Sequence, residues 1–352
     1  MFTAPDPEEI SISIEGETFR HWTEIEISVA FDGHASVSFS APFEPDEIEF
    51  RETFRPFSFK EIEVLLGGDP LFSGTMIDVA PQVTAASRSV SVTAYSRAAV
   101  LAEVNVPAEF HPIEFNGLDL NQITEKLVAP FGLKLALGSA SVGAKFERVA
   151  LEPKDKIQEF LSDLAKQRGL VLGSDEFGDV IFRRSSAFGL PVAKLSDNQS
   201  PVVSVSPTFS PQSYFSEVTC LAKAKGGRGG SKYTAQNSYL LGVLRPSVIE
   251  LDDTDPGDIE IATAARMGRM FGNMASYDIG LCTWFTPLGE LYWPDDRIRL
   301  TAPGAMIYSD TELLVRAVKF SQSADQSRTA SLTCCLPGAF SGEEPDGLPW
   351  LG

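Results

Sequence analysis

Few residues in this chain are of the types that do chemistry, and their spacing does not favour it. The three histidines, His21, His34 and His111, form no HExxH or other metal-ligand spacing. The four cysteines, Cys220, Cys282, Cys334 and Cys335, show no CxxC pairing, and in a chain without a secretion signature they are expected reduced and buried. A zinc site would need ligands gathered from distant segments. No GxSxG elbow is present. The acidic run Asp252-Asp253-Thr254-Asp255-Pro256-Gly257-Asp258 invites a calcium reading. Counted from Asp253, however, position six is Asp258 and position twelve is Ala264, where an EF-hand loop needs Gly and Glu. A helix start explains the run better, with Asp255 as cap and Pro256 in the first turn. Asp295-Asp296 is a carboxylate pair, but adjacent residues do not flank a glycosidic bond, and the expectation is a turn with solvated acids. Lys223, Lys225, Arg228 and Lys232 surround a Gly-rich stretch that lacks the GxxxxGK[ST] order of a phosphate loop. They read as a hairpin tip or as a docking loop for an acidic neighbour. No catalytic, cofactor-binding or metal residue is assigned.

The elements that would position such residues are mostly strands. Ile10, Ile12 and Ile14 alternate with serines, and Ile25, Ile27 and Val29 alternate with polar residues, the period of half-buried strands. Phe57, Phe59, Ile62 and Val64 are read the same way, Gly67-Gly68-Asp69-Pro70 is a turn, and Phe72–Val79 and Ser89–Tyr95 complete a set that predicts a small closed barrel. Between 105 and 190 the period changes. Leu120, Ile123, Leu127 and Val128 share a helical face ended by Pro130 and Gly132, and Leu133, Leu135 and Leu137 alternate as a strand. A second helix is expected from Pro153, with Ile157, Phe160, Leu161 and Leu164 as its stripe and Gly169 as its stop. A hairpin around Asp175–Gly178 follows. Strands return over 191–336, with one helix whose Met267, Met270, Phe271 and Met274 stripe suits a core or a soft subunit interface. The Pro-, Gly- and acid-rich segment 337–352, with Trp350, is expected to lie extended on a neighbour or to stay mobile.

Composition narrows the classes further. The chain has 352 residues and a formal charge of −19. That field is opposite to the one that neutralises phosphates, so specific nucleic-acid binding and attachment to an anionic membrane are not expected. Its first nine residues carry no basic-then-apolar leader pattern, and no apolar run approaches a membrane span.

Taken in order, the pieces resemble baseplate hub proteins of Mu-like contractile phage tails, related to the late control protein D family. The layout matches in Gly16, Phe19, Trp22 and Glu24–Val29, then in Pro70–Val79 and Ser89–Arg97 leading into Leu101. Leu120–Gly132 and Asp155–Gly169 look like the helical units of the family's small α/β domain. Gly289-Glu290-Leu291-Tyr292-Trp293-Pro294-Asp295-Asp296 resembles the family's Gly-x-x-Trp-x-Pro-Asn segment, with an acid where Asn is frequent. The resemblance covers roughly residues 8–336 and implies a mainly β fold with an α+β insert: two β-barrel, tudor-like domains joined by a small α/β domain. The corresponding division is 1–104, 105–190 and 191–336, with 337–352 as a tail. It implies a structural, non-enzymatic subunit that works as a homotrimer in a pseudo-sixfold ring. The ring would join the tail tube or distal tail proteins to a central spike and leave a channel for DNA or tape-measure protein. Such a protein is assembled in the host cytoplasm and resides in the virion tail baseplate. The competing readings are the hub of a contractile secretion or injection machine, a tail-associated cell-wall hydrolase with two carboxylates at catalytic separation, and a carbohydrate-binding module with exposed aromatics on a strand face.

Overall fold

The computed structural model describes residues 9–136, 138, 140–185, 189–222, 230–251, 259–323 and 327–351. The first part holds strands β1 (Ile10–Ile14), β2 (Glu17–Phe19), β3 (Glu24–Ala30) and β4 (Ser36–Pro42), the short helix α1 (Ile48–Thr53), and strands β5 (Glu61–Leu66), β6 (Asp69–Val83) and β7 (Arg88–Ser96). The middle holds β8 (Ile113–Leu118), α2 (Leu120–Val128), β9 (Leu135–Ala136), β10 (Phe146–Leu151), α3 (Ile157–Gln167), β11 (Val171–Ser174) and β12 (Val180–Arg183). The last part holds β13 (Ala193–Ser196), β14 (Val202–Phe209), β15 (Glu217–Ala222), β16 (Lys232–Gln236), β17 (Pro246–Leu251), α4 (Ile259–Met274), β18 (Ala275–Leu281), β19 (Arg297–Ala302), β20 (Ile307–Ser323) and β21 (Arg328–Cys335). The fold is mainly β with a small α+β middle.

The two β-rich parts share one 13-stranded sheet, whose path runs β14-β18-β21-β20-β3-β4-β7-β6-β5-β1-β2. The seam is an antiparallel ladder between β3 and β20, with Val29 opposite Val318 and Ile27 opposite Phe320. These four side chains are buried in a single core that also takes in Ile12, Phe39, Val92, Tyr277, Trp284 and Leu332. Each such burial contributes about 1.5–3 kcal/mol, so the register is fixed by apolar residues meeting apolar residues. Trp284 is fully buried beside Phe320, and its Nε1–H is satisfied by the carbonyls of Ser321 and Thr329, at 3.2 and 2.8 Å.

The middle segment has its own core, built on Leu120, Ile123, Leu127, Ile157, Leu161 and Leu164. Helix α2 begins with a capping box: Asp119 accepts from the Gln122 N–H, and the Gln122 side chain accepts from the Asp119 N–H. Gly132 closes the following turn in the left-handed region. Helix α3 starts at Ile157 rather than at Pro153, because Glu152–Asp155 forms a turn in which the Glu152 N–H donates to the Asp155 carboxylate at 3.2 Å. The strand expected at Leu133–Leu137 is the two-residue β9, paired in parallel with β12, and Leu137 lies outside the described residues.

Several expectations are corrected. Phe57 and Phe59 are not in a strand; both have left-handed backbone, with φ of 60° and 49°, and both are exposed. Cys282 is exposed, while Cys220, Cys334 and Cys335 are buried. The methionine stripe of α4, by contrast, takes the core role expected of it, and there the Met270 sulfur accepts from the Phe215 N–H at 3.2 Å. The C-terminal segment folds back on its own chain rather than reaching out. Phe340 packs on Phe31 at 4.8 Å between ring centroids, Trp350 packs edge-on to Phe209 at 5.2 Å, and the Pro345 carbonyl accepts from the Tyr239 hydroxyl at 2.6 Å. Two glycines of α4 admit this return, since a Cβ at Gly268 would stand 2.3 Å from the Gly338 carbonyl oxygen. Gly268→Ala is therefore expected to cost about 1–3 kcal/mol of stability by overpacking and to expose segment 338–348 to protease; denaturant titration and limited proteolysis read both effects.

Candidate assembly surface

The titratable residues singled out in the sequence do not converge. His34, on the turn after β3, meets the Gln158 Oε1 of α3 at 3.2 Å through Nε2. His21 lies between β2 and β3, near Phe19 and Phe50, and His111 precedes β8. Among the described residues no group of three or more His, Cys, Asp or Glu comes together in a form that would hold a metal ion. Lys223, Lys225, Arg228 and the run Asp252–Asp258, with its proposed cap Asp255, lie outside the described residues; Lys232 opens β16 and is exposed.

Asp295 and Asp296 are not solvated turn acids. Asp295 takes a left-handed φ of 84°, a conformation that Asn and Asp tolerate better than most residues. Its N–H donates to the Val315 carbonyl at 2.9 Å, and the Val315 N–H donates to the Asp296 carbonyl at 2.8 Å. The Asp296 carboxylate accepts from the Trp293 N–H at 2.6 Å. Burial pushes both carboxyls above the usual carboxylate range, and the charge of Asp295 adds to the rise at Asp296. The pair is a clamp that ties the 284–296 segment to β20.

A cleft of about 810 Å³ runs between the C-terminal segment and β19–β20. Some of its charges pair inside the chain, Arg297 with Glu312 and Arg299 with Asp310 at 3.1 Å, the latter also reached by Lys194 at 3.0 Å, while Glu343, Glu344 and Asp346 add exposed acids to the lining. A second cleft, of about 510 Å³, is apolar, lined by Phe209, Pro211, Tyr214, Met274, Met306, Tyr308 and Trp350. Other exposed apolar features among the described residues include the Phe57–Phe59 turn and the loop carrying Leu241, Val243 and Leu244. The two ends of the sheet path are open as well: in the described strands β14 pairs only with β18 and β2 only with β1. Open edges and apolar knobs are features of a surface that meets other chains. Sequence reasoning missed them because an Phe-x-Phe alternation reads as a strand until the backbone is seen.

Arginines cluster where the middle segment meets the β body, and two of them, Arg183 and Arg269, bond across that junction. On β20 a bulge between Val315 and Ala317 turns Arg316 outward, where it forms a two-pronged pair with Asp32 at 3.1 and 2.6 Å and reaches Asn273 at 3.0 Å. Arg183 donates to the carbonyls of Ala30 and Ser174, and Arg184 to those of Gly169 and Arg168. Arg269 of α4 donates to the Leu170 carbonyl at 2.9 Å; burial and the nearby Arg266 bring its pKa down to about 10. Removing Asp32 with Asp32→Ala would leave Arg316 half-buried without its carboxylate, an expected loss of about 2 kcal/mol by denaturant unfolding. His34 lies at the same junction, and burial lowers its pKa below the ordinary 6.5. A depressed histidine contributes stability that is present above that ordinary value and lost as pH falls through it toward the folded-state pKa. Thermal unfolding at pH 7.5 and pH 5 is expected to show a smaller drop for His34→Gln than for the unaltered chain.

Residues 104–184 match the family model described as the second domain of gp44-like baseplate hub proteins. The chain is 22% identical over 326 residues to baseplate hub protein gp44 of Escherichia phage Mu, covering 88% of this chain and 83% of that protein. Among solved structures it is similar to the 43 kDa tail protein of prophage MuSo2 from Shewanella oneidensis, with a TM-score of 0.78 and 23% identity over 94% of this chain and 99% of that one. It is also similar in fold to a type VI secretion system component from E. coli, whose description notes similarity to T4 tail proteins gp27 and gp5; there the TM-score is 0.55 and the identity 13%, covering 92% of this chain and 76% of that one. The expected resemblance is thus met: residues 104–184 match a gp44-like baseplate hub second domain, and the chain as a whole is similar to Mu-like hub proteins in sequence and shares the fold of Mu-like tail proteins.

Proposed function

We propose that this chain is a structural, non-enzymatic subunit of a phage tail baseplate hub, working as a homotrimer whose six β-rich units form a pseudo-sixfold ring. The observation that carries this is the β3–β20 seam, which fuses two β-rich parts of one chain side by side in a single sheet. Three such chains offer six comparable units to a sixfold tube on one side and a threefold partner on the other. In this reading the subunit divides at about residues 104 and 190, its partners are tail tube or distal tail proteins, a central spike and the tape-measure protein, and its place is the virion tail baseplate, assembled in the host cytoplasm. A ring built from chains of charge −19 presents an acidic lumen that DNA passes without binding. The similarity to baseplate hub protein gp44 of phage Mu favours this reading over a cell-wall hydrolase.

A second reading is the hub of a contractile injection or secretion system, favoured by the shared fold with the type VI component; the neighbouring genes separate the two. Light scattering of the purified chain, alone and with the spike protein, is expected to give the mass of three chains, and negative-stain images a ring with a central hole. A monomer under both conditions would turn the reading toward an enzyme or a receptor-binding module. A high-resolution ring with a neutral or basic lumen would refute the proposed passage surface.

A further inference from the structure

Strand β20 is longer than the strands that cover it. On one edge β19 takes Ile307–Leu314 and β3 takes Ala317–Ser323. On the other edge β21 pairs from Leu314 onward, where Leu314 meets Cys335. The ladder stops there because the chain leaves β21 at Cys335 and meets Pro337, which has no N–H to donate. Among the described strands, Ile307–Leu313 thus keeps one edge without a neighbour, roughly 20 Å of strand at about 3.3 Å per residue.

The cleft of about 810 Å³ lies along that edge. Four consecutive residues of β20, Ser309, Asp310, Thr311 and Glu312, line it. Successive side chains of a strand point to opposite faces, so a cleft that touches all four looks at the strand's edge. Its far wall is the C-terminal segment, which leaves at Pro337, carries Glu343–Gly347 past the cleft and comes back to β20 at Pro349–Leu351. Open main-chain donors and acceptors inside a walled cleft suit extended polypeptide, which binds by adding a strand. The charge of the lining selects among such segments. It holds Arg297 and Arg299 against five carboxylates. Both arginines are already paired, with Glu312 and Asp310, which leaves the surplus on Glu343, Glu344 and Asp346, exposed on the facing wall.

We infer that this groove takes an extended, lysine- or arginine-bearing segment of a different protein, added as a strand along Ile307–Leu313. Main-chain hydrogen bonds to β20 hold its backbone, and the acidic wall selects its side chains. A second copy of this chain, at a formal charge of −19, is a poor donor of such a segment. The groove is built within one chain, so the assignment stands or falls separately from the ring proposed above.

The test is fluorescence anisotropy on the full chain with a labelled hexapeptide of alternating Lys and Val. A matched peptide, N-methylated along its backbone, keeps the charge and loses the N–H donors. The expected result is saturable binding of the first peptide and none of the second. Binding of the first is also expected to be about tenfold weaker to the variant Glu343→Gln, Glu344→Gln, Asp346→Asn. Equal binding of the two peptides means charge attraction without strand addition and overturns the assignment. Binding that ignores the three substitutions overturns it too, as does no binding at all. A triple variant that loses assembled mass by light scattering gives the groove to a second copy and overturns it equally.

Discussion

The fold depends on one ladder. Strand β3 pairs with β4 on one side and with β20 on the other, so the first and last β-rich parts of the chain share their hydrogen bonds and their core. Without it, Ile25, Ile27 and Val29 would meet no partner on that side, and β20 would lose the neighbour that covers Val318 and Phe320. An exposed edge of this length and apolarity would pair with any strand it met. Satisfying it within the chain leaves free edges among the described strands at β2 and β14, at the ends of the sheet path, and at β13, which pairs only with β19.

The same strand governs how the middle segment is held. The bulge in β20 throws Arg316 out of the ladder to Asp32, directly after β3, and the backbone N–H of Phe31 returns to the Arg316 carbonyl at 2.8 Å. Phe31, Val171, Leu314, Cys335, Ala339 and Phe340 fill the small core at this point. Residues from all parts of the chain thus meet at one joint, and most of the arginines there donate to backbone carbonyls rather than to carboxylates. A carbonyl is fixed by the fold itself, so these contacts set orientation as well as attraction. The middle segment therefore has its own core but not its own freedom.

Much of this was legible in the sequence because the information is local. The alternation of Ile10–Ile14 and Glu24–Ala30 reads as strand, and Leu120, Ile123, Leu127 and Val128 read as a helical face, because period alone decides them. The ladder between β3 and β20 leaves no local trace, since a strand's partner is chosen by the shape of the whole core. Phe57 and Phe59 keep the period of a strand while their backbone has turned left-handed. Asp295 and Asp296 read as solvated acids because nothing nearby reveals that their partners are Val315 and Trp293. The return of the C-terminal segment was hidden for the same reason: Gly268 and Gly272 are small because Gly338 and Ala339 lie against them, a contact across some seventy residues of sequence.

The ladder also sets a clock for synthesis. Val29 and Val318 are paired but separated by about 290 residues, which at roughly 5–20 residues per second take about 15–60 s to translate. During that interval the ribosome has already delivered the first seven strands, while the one that completes them does not yet exist. Each nascent chain must carry an unfinished apolar edge for most of its own synthesis, in a cell making many copies from neighbouring ribosomes. The critical moment for this molecule is therefore before release, when the edge of one unfinished chain is close to the edge of another, and a holdase or slow initiation that keeps them apart would raise the yield of folded protein.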